Sequence, residues 1–148
     1  MGASMTGIIE WTHDAQCAAR PELGLALGPP RWDDDDYIHG MLFTTEKEYD
    51  FFAAISGTRN RFGREPLIAA RRVPAGGLSS PASRYFEDSG GDLAGWLHLS
   101  EIDRCIRHMA AGETFHVGFE AELALDTMRR LVAKLSDPHV RLVFNIEG

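Results

Sequence analysis

The chain has 148 residues, the length of one domain, and 44% of them are hydrophobic, as in ordinary globular proteins. Its 22 acidic residues outnumber its 15 basic residues, which excludes a protein that binds nucleic acid by general electrostatic attraction. The sequence has no run of about 20 apolar residues, and its N-terminus has neither the basic start nor the apolar core of a signal peptide. We therefore expect no direct nucleic-acid binding and no membrane contact.

The cysteines and histidines form no recognisable metal or catalytic motif. Cys17 and Cys105 make no disulfide framework, which favours a reducing, cytoplasmic setting. The histidines have no paired spacing that would hold zinc. No nucleophile elbow and no phosphate-binding glycine loop is present. The sequence therefore predicts no catalytic residue, no metal and no cofactor, and it favours a non-enzymatic protein.

The formal net charge of −7 lies entirely in the first third of the chain, since residues 1–50 hold ten acidic and three basic residues and the rest is neutral. Four of these acids are consecutive, and aromatic residues flank them: Trp32, Asp33, Asp34, Asp35, Asp36 and Tyr37. Such a run can be a solvated loop, a divalent-metal site or a patch that competes for a partner's basic surface. The aromatic flanks favour the partner-binding interpretation, because they can anchor the run to the fold or to the partner.

In chain order, residues 7–13 are β-branched and aromatic and predict the first strand. Residues 23–27 alternate between apolar and small residues and predict a second strand. The residues after the acidic run then lead into the first helix. A capping box of Thr45 and Glu48 begins that helix, and Gly57 ends it.

Residues 58–95 are irregular, because prolines and glycines interrupt every pattern. Five arginines cluster in the first part of this segment, between residues 59 and 72: Arg59, Arg61, Arg64, Arg71 and Arg72. Guanidinium groups bind phosphates and carboxylates, so these residues are the candidate site for an anionic ligand. The alternative is that they pair with the acidic residues of the chain's own first third.

Two further helices and a strand follow. Ser100 and Asp103 resemble a capping box that opens the second helix. The apolar residues of that helix have helical spacing: Ile102, Cys105, Ile106 and Met109. Residues 119–135 carry an uninterrupted apolar stripe and predict the third helix, whereas residues 140–146 alternate and predict the last strand.

This order of elements predicts an α+β fold, in which residues 1–148 form a single two-layer domain. We expect a small, mostly antiparallel sheet with about three helices on one face. The first and last strands are expected to share this sheet. Their exposed edges are expected to be where two copies could pair as a homodimer.

The sequence from about residue 46 to the end is similar to an uncharacterised family of bacterial and phage proteins. The resemblance rests on three segments and on the last strand: residues 49–60, 65–74, 95–102 and 140–144. Arg72 stands where that family has glycine, and the approach to Trp96 lacks the family's His-Ser pair. The resemblance implies a setting among the accessory genes of phages and mobile elements, and it implies no activity.

Three functions remain open at this point. The first is a phage-encoded inhibitor that binds a host nucleic-acid-binding or defence complex, in the manner of an anti-CRISPR protein, through the acidic segment Trp32–Tyr37. The second is a small enzyme or a nucleotide- or anion-binding domain that uses the arginines, with His39 or His98 as the acid–base group. The third is a structural domain that associates with itself.

Overall fold

The computed structural model describes residues 2–12, 30–32, 35–69, 71, 78–79, 82–83, 85–86 and 95–148, and within them the backbone forms a four-stranded antiparallel sheet. Its strands, in the order β2-β1-β4-β3 across the sheet, are β1 (Ser4–Thr12), β2 (Ile38–Glu46), β3 (Gly95–Leu97) and β4 (Val140–Glu147). The helices are α1 (Tyr49–Ser56), α2 (Leu99–Ala110) and α3 (Phe119–Leu135), with 3-10 turns at Asp35–Tyr37 and Asp137–His139. The predicted α+β class is confirmed.

The first and last strands lie side by side at the centre of the sheet. β1 pairs with β2 on one side and with β4 on the other. The prediction that these two strands share a sheet is confirmed, but the prediction that their edges are exposed is wrong. Each of the two strands is paired with a neighbouring strand on both sides, so neither has a free edge. Among the described strands, the edges are β2 and β3.

The main core lies between one face of the sheet and the three helices. The sheet contributes side chains from β1 and β4 to this core: Met5, Ile9, Leu142 and Phe144. α1 is buried on all sides, and Phe51 and Phe52 have no exposed surface. The opposite face carries a smaller core, in which Ile8 and Val143 pack against Ala82 and Phe86. Ala82 and Phe86 therefore cover part of the second face of the sheet, which the predicted two-layer arrangement had left uncovered.

The predicted capping box of the first helix is wrong. Thr45 lies inside β2, and its Oγ1 is buried without a hydrogen-bond partner among the described residues. The Glu48 carboxylate accepts the backbone N–H of Gly118 at 2.8 Å, at the start of α3. The pairing of β2 with β1 keeps Thr45 extended, so it cannot cap a helix. The predicted end is confirmed, since Gly57 has a left-handed backbone (φ 78°) that favours glycine.

The predicted start of the second helix is also displaced. α2 begins one residue before Ser100, and Glu101 rather than Asp103 accepts the backbone N–H of His98, at 2.9 Å. Ser100 instead donates to the Asp137 carboxylate from its N–H (2.9 Å) and its hydroxyl (2.7 Å). The helix thus has a local capping box at His98 and Glu101, whereas the partner of Ser100 comes from a distant part of the chain, which a local motif does not show.

The C-terminal third of the chain agrees closely with the prediction. α3 spans Phe119–Leu135, as expected, and β4 spans Val140–Glu147. The buried residues of α3 all belong to the predicted stripe: Ala121, Ala124, Leu125 and Met128. The predicted strand at residues 23–27 lies outside the described residues. No helix in the described part of the chain is long and apolar enough to cross a membrane.

Candidate functional site

Trp32 ties the start of the acidic run to the body of the fold. Its indole Nε1 donates to the Pro138 carbonyl oxygen at 2.9 Å. The guanidinium carbon of Arg141 lies 3.7 Å from the centre of the Trp32 ring, in a cation–π contact. The preceding residue is also held, because Thr12 Oγ1 donates to the Arg31 carbonyl at 2.8 Å. The indole therefore anchors Trp32 to Pro138 and to β4, and the Arg31 carbonyl anchors the preceding residue to β1.

The end of the acidic run is a 3-10 turn that leads directly into β2. Asp35–Tyr37 form this turn, and the guanidinium carbon of Arg31 lies 4.5 Å from the centre of the Tyr37 ring. Asp36 is exposed, whereas Tyr37 is half-buried. Outside the described residues lie Asp33, Asp34 and the side chain of Asp35. Both described ends of the predicted partner-binding segment are thus attached to the fold.

A buried ion pair lies beneath Trp32. Arg141 Nε donates to Glu10 Oε1 at 2.8 Å, and the other carboxylate oxygen accepts the backbone N–H of Ser79 at 2.7 Å. Glu10 is 0% exposed and Arg141 is 1% exposed. Burial lowers the pKa of the Arg141 guanidinium, and the neighbouring Glu10 carboxylate opposes that shift. The pair connects the two central strands to the anchor of the acidic run.

Arg61, one of the predicted anion-binding residues, binds the chain's own Asp50. Its Nε and Nη2 donate to the two oxygens of that carboxylate at 2.9 and 3.0 Å. Nη2 also donates to the Thr114 carbonyl at 2.6 Å, and Asp50 accepts the His116 N–H at 2.9 Å. This contact matches the alternative in which the arginines pair with acids of the first third.

Arg64 and Arg71 hold opposite ends of α2. Arg64 Nη1 donates to the Met109 carbonyl at 2.9 Å, near the end of the helix. Arg71 Nη2 donates to Glu101 Oε1 at 2.6 Å and to the Trp96 carbonyl at 2.9 Å, near the start. Glu101 and Met109 are roughly 12 Å apart along a helix axis. These two guanidinium groups therefore do not converge on one anion.

The remaining arginines of the predicted cluster add no common site. Arg59 is exposed, and its guanidinium carbon lies 5.9 Å from the centre of the Tyr49 ring. Arg72 lies outside the described residues. The described arginines of the cluster therefore contact different parts of the fold: α1, the two ends of α2, β3 and the loop after α2.

The Asp50 contact makes stability depend on pH. Hydrogen bonds from Arg61 lower the pKa of the Asp50 carboxyl, burial opposes this shift, and the His116 N–H adds to it. A carboxyl whose pKa is lower in the folded than in the unfolded state stabilises the fold above its unfolded pKa of about 3.9. That contribution is lost as the pH falls through the folded pKa.

We expect the difference in unfolding free energy between the wild type and Asp50→Asn to shrink as the pH is lowered from 5 to 2. Urea denaturation at several pH values measures it. Arg61→Gln should show the same trend, because it removes the group that lowers the pKa. A difference that stays constant over this range would contradict the assignment.

The described cysteine is buried, and the two histidines considered as acid–base groups contact groups of their own chain. Cys105 is buried in α2, and burial raises the pKa of its thiol, which disfavours the reactive thiolate. His98 Nδ1 lies 2.6 Å from the Val140 carbonyl oxygen, and the His39 ring stacks on Trp11. No group of three or more metal-ligating side chains lies together among the described residues.

Two adjoining cavities that sequence reasoning missed lie beside β2. The first has a volume of about 260 Å³ and lies between β2 and α3. Large apolar side chains that are half exposed line it: Met41 (47%), Leu42 (53%) and Leu123 (55%). Phe119, one turn before Leu123 on α3, is 76% exposed. Met41, Phe119 and Leu123 form an apolar patch on the helix side of β2, and Leu42 borders the cavity from the other face of the strand.

The second cavity has a volume of about 640 Å³ and is polar. Hydroxyl and charged side chains line it: Ser4, Thr6, Thr44, Thr45, Glu46, Lys47 and Glu120. Thr44 and Glu120 line both cavities, so the two form one continuous groove, which we call the β2 groove. A signal for it exists in the sequence, since Phe119 and Leu123 are apolar residues one turn apart that lie off the buried stripe of α3.

Comparisons with known proteins add no information about the function of this chain. The resemblance to phage and bacterial proteins over residues 46–148 stays a prediction, and so does the role of the acidic segment. No protein-family model, no curated protein and no solved structure matched the chain.

Proposed function

We propose that the protein is a non-enzymatic interaction domain that binds the basic surface of a protein or of a protein–nucleic-acid complex through the segment Trp32–Tyr37. The observation that carries this proposal is the attachment of the acidic run at both ends. At one end of the run, Trp32 contacts Pro138 and Arg141. At the other end, the turn Asp35–Tyr37 continues into β2. A run held in this way loses less conformational entropy on binding than a free loop does.

The distribution of charge supports the same proposal. The first third of the chain holds all of the net charge of −7, and four of its ten acidic residues are consecutive in that segment. A concentration of acidic residues accelerates encounter with a basic partner, and this attraction weakens as salt is added. The competing anion site has less support, because Arg61, Arg64 and Arg71 bind groups of their own chain.

The partner class follows from the resemblance and from the charge taken together. An acidic surface competes with nucleic acid for a basic protein face. Among phage accessory proteins, that property suits an inhibitor of a host complex that handles nucleic acid, such as a defence complex. This part of the proposal rests on the resemblance.

A pull-down from bacterial lysate at low and moderate salt tests the proposal. The variant replaces Asp33, Asp34, Asp35 and Asp36 by Asn. The matched control makes the same charge change on exposed acids elsewhere: Glu65, Glu113, Glu122 and Asp126 become amides. We expect a partner whose capture decreases as salt is added. The control should capture it as the wild type does, and the variant should capture at least tenfold less of it. Equal capture by both variants would refute the role of the segment.

A further inference from the structure

We infer that the β2 groove is a second contact surface, and that it accepts an extended segment of a partner protein, which pairs with β2 as an added strand and carries alternating apolar and basic side chains. The inference rests on the proposed function, because it names the kind of segment that the bound partner presents. Three independent features of the groove carry it: its backbone, its apolar patch and its charge.

The backbone of β2 is ready for strand addition. β2 is nine residues long and pairs with β1 along its whole length, from Thr12–Ile38 to Ser4–Glu46. Among the described residues no strand pairs with its other side. That side presents a row of backbone N–H and C=O groups, and such an edge pairs with an extended segment of another chain.

The side chains along this edge require apolar residues on one face of the added strand. Side chains alternate between the two faces of a strand, and the ring of Phe43 lies beside Gly7 on the helix face. Met41 therefore points to the same face, where the 260 Å³ cavity opens between β2 and Leu123 of α3. A partner residue facing this way would bury the exposed surface of both side chains.

The opposite face of the added strand meets acidic and hydroxyl groups. Leu42, Thr44 and Glu46 alternate with the residues above and face away from the helices. On this face the carboxylate is that of Glu46, whereas Glu120 lies in the first turn of α3 on the helix face. Neither carboxylate makes an ion pair among the described residues, and Lys47 is the one cation among the described residues that line the polar cavity. A Lys or Arg of the partner supplies the missing opposite charge, while its methylene stem can lie along Leu42.

The charge also decides against a second copy of this chain as the occupant. Each copy carries a net charge of −7, concentrated in the third that contains β2. Pairing β2 with itself would bring two acidic segments to one interface, and like charges across an interface are unfavourable. A basic, apolar-alternating segment of another protein avoids this repulsion.

A labelled nine-residue peptide that alternates valine and lysine, blocked at both ends, tests the inference by fluorescence anisotropy with the full chain. We expect saturable binding that Leu123→Asp weakens at least tenfold and Glu46→Lys at least fivefold. Glu113→Lys is the matched control and should bind within twofold of the wild type, because Glu113 lies outside the groove. Circular dichroism and the melting temperature establish that each variant is folded.

Backbone methylation tests the strand pairing itself. Two further peptides carry N-methyl groups on the odd or on the even residues, so each blocks one edge of the strand. An added strand pairs through one edge, so one of these peptides should bind like the parent and the other should lose at least tenfold. Equal binding of both peptides would overturn the pairing, and absence of saturable binding would overturn the site.

The outcome is separable from that of the proposed function. The variant with Asn at 33–36 should bind the peptide within threefold of the wild type, because the peptide contacts β2 and α3. If that variant no longer captures the lysate partner but still binds the peptide, the result supports both proposals. Sedimentation that shows a dimer broken by Leu123→Asp would mean that a second copy fills the groove, and would overturn this inference.

Discussion

Replacing Glu10 by Gln or Arg141 by Met is expected to destabilise the protein by about 3–5 kcal/mol. Either change leaves one charged or polar group buried between the central strands without its partner. The Glu10 carboxylate also satisfies the backbone N–H of Ser79, and Arg141 supports the Trp32 ring. Since domains of this size are stable by about 5–15 kcal/mol, the loss is a large part of the total.

Urea denaturation of the single variants and of Glu10→Gln/Arg141→Met measures this effect. The double variant should lose less than the sum of the two singles, because neither charge is then left alone. Arg129→Met is the matched control, since Arg129 forms exposed ion pairs with Glu122 and Asp126. It should cost no more than about 1 kcal/mol. Additive losses in the double variant would show that the two groups do not stabilise each other.

Phe52→Ala is expected to cost about 3–5 kcal/mol. Phe52 has no exposed surface, and α1 is an eight-residue helix that lies inside the main core. A helix this short has little stability of its own, so packing of its side chains holds it in place. The cavity left by the ring would lie in the main core, whose packed side chains cannot close it without shifting.

Phe119→Ala is the control for this prediction, because it removes the same ring from a residue that is 76% exposed. Its free energy of unfolding should stay within about 0.5 kcal/mol of the wild type. The comparison separates a phenylalanine that holds the fold from one that is available to a partner. A large loss from Phe119→Ala would mean that its ring is covered in solution, and it would weaken the case for the apolar patch.

The elements that the sequence predicted well are those whose burial pattern is local. α3 matches its predicted range because one stripe of small and apolar residues repeats at helical spacing over its length. β4 matches because it is buried from Val140 to Phe144 and its ends are marked by turn residues. β1 was expected from its β-branched and aromatic residues, and the pairing of β1 with β4 confirms the shared sheet.

β2 was missed for a physical reason. An edge strand has one unpaired side, and the exposed residues of β2 lie on both of its faces, so apolar and polar residues do not alternate. Gly40 interrupts the run as well, and glycine lowers strand propensity. The β2 groove depends on this strand, so it could not be anticipated in full. Its only local sign was the pair of apolar residues, Phe119 and Leu123, off the buried stripe of α3.

The sequence by itself determined the α+β class, the helices at 99–110 and 119–135 to within a residue or two, and the acidity of the first third. Only the tertiary structure decided the partners of the charged side chains. Glu10 meets Arg141 across 131 positions of the chain, and Arg71 meets Glu101 across 30. Helical periodicity and net charge are properties of neighbouring residues or of composition, whereas an ion pair or a groove requires segments that folding brings together.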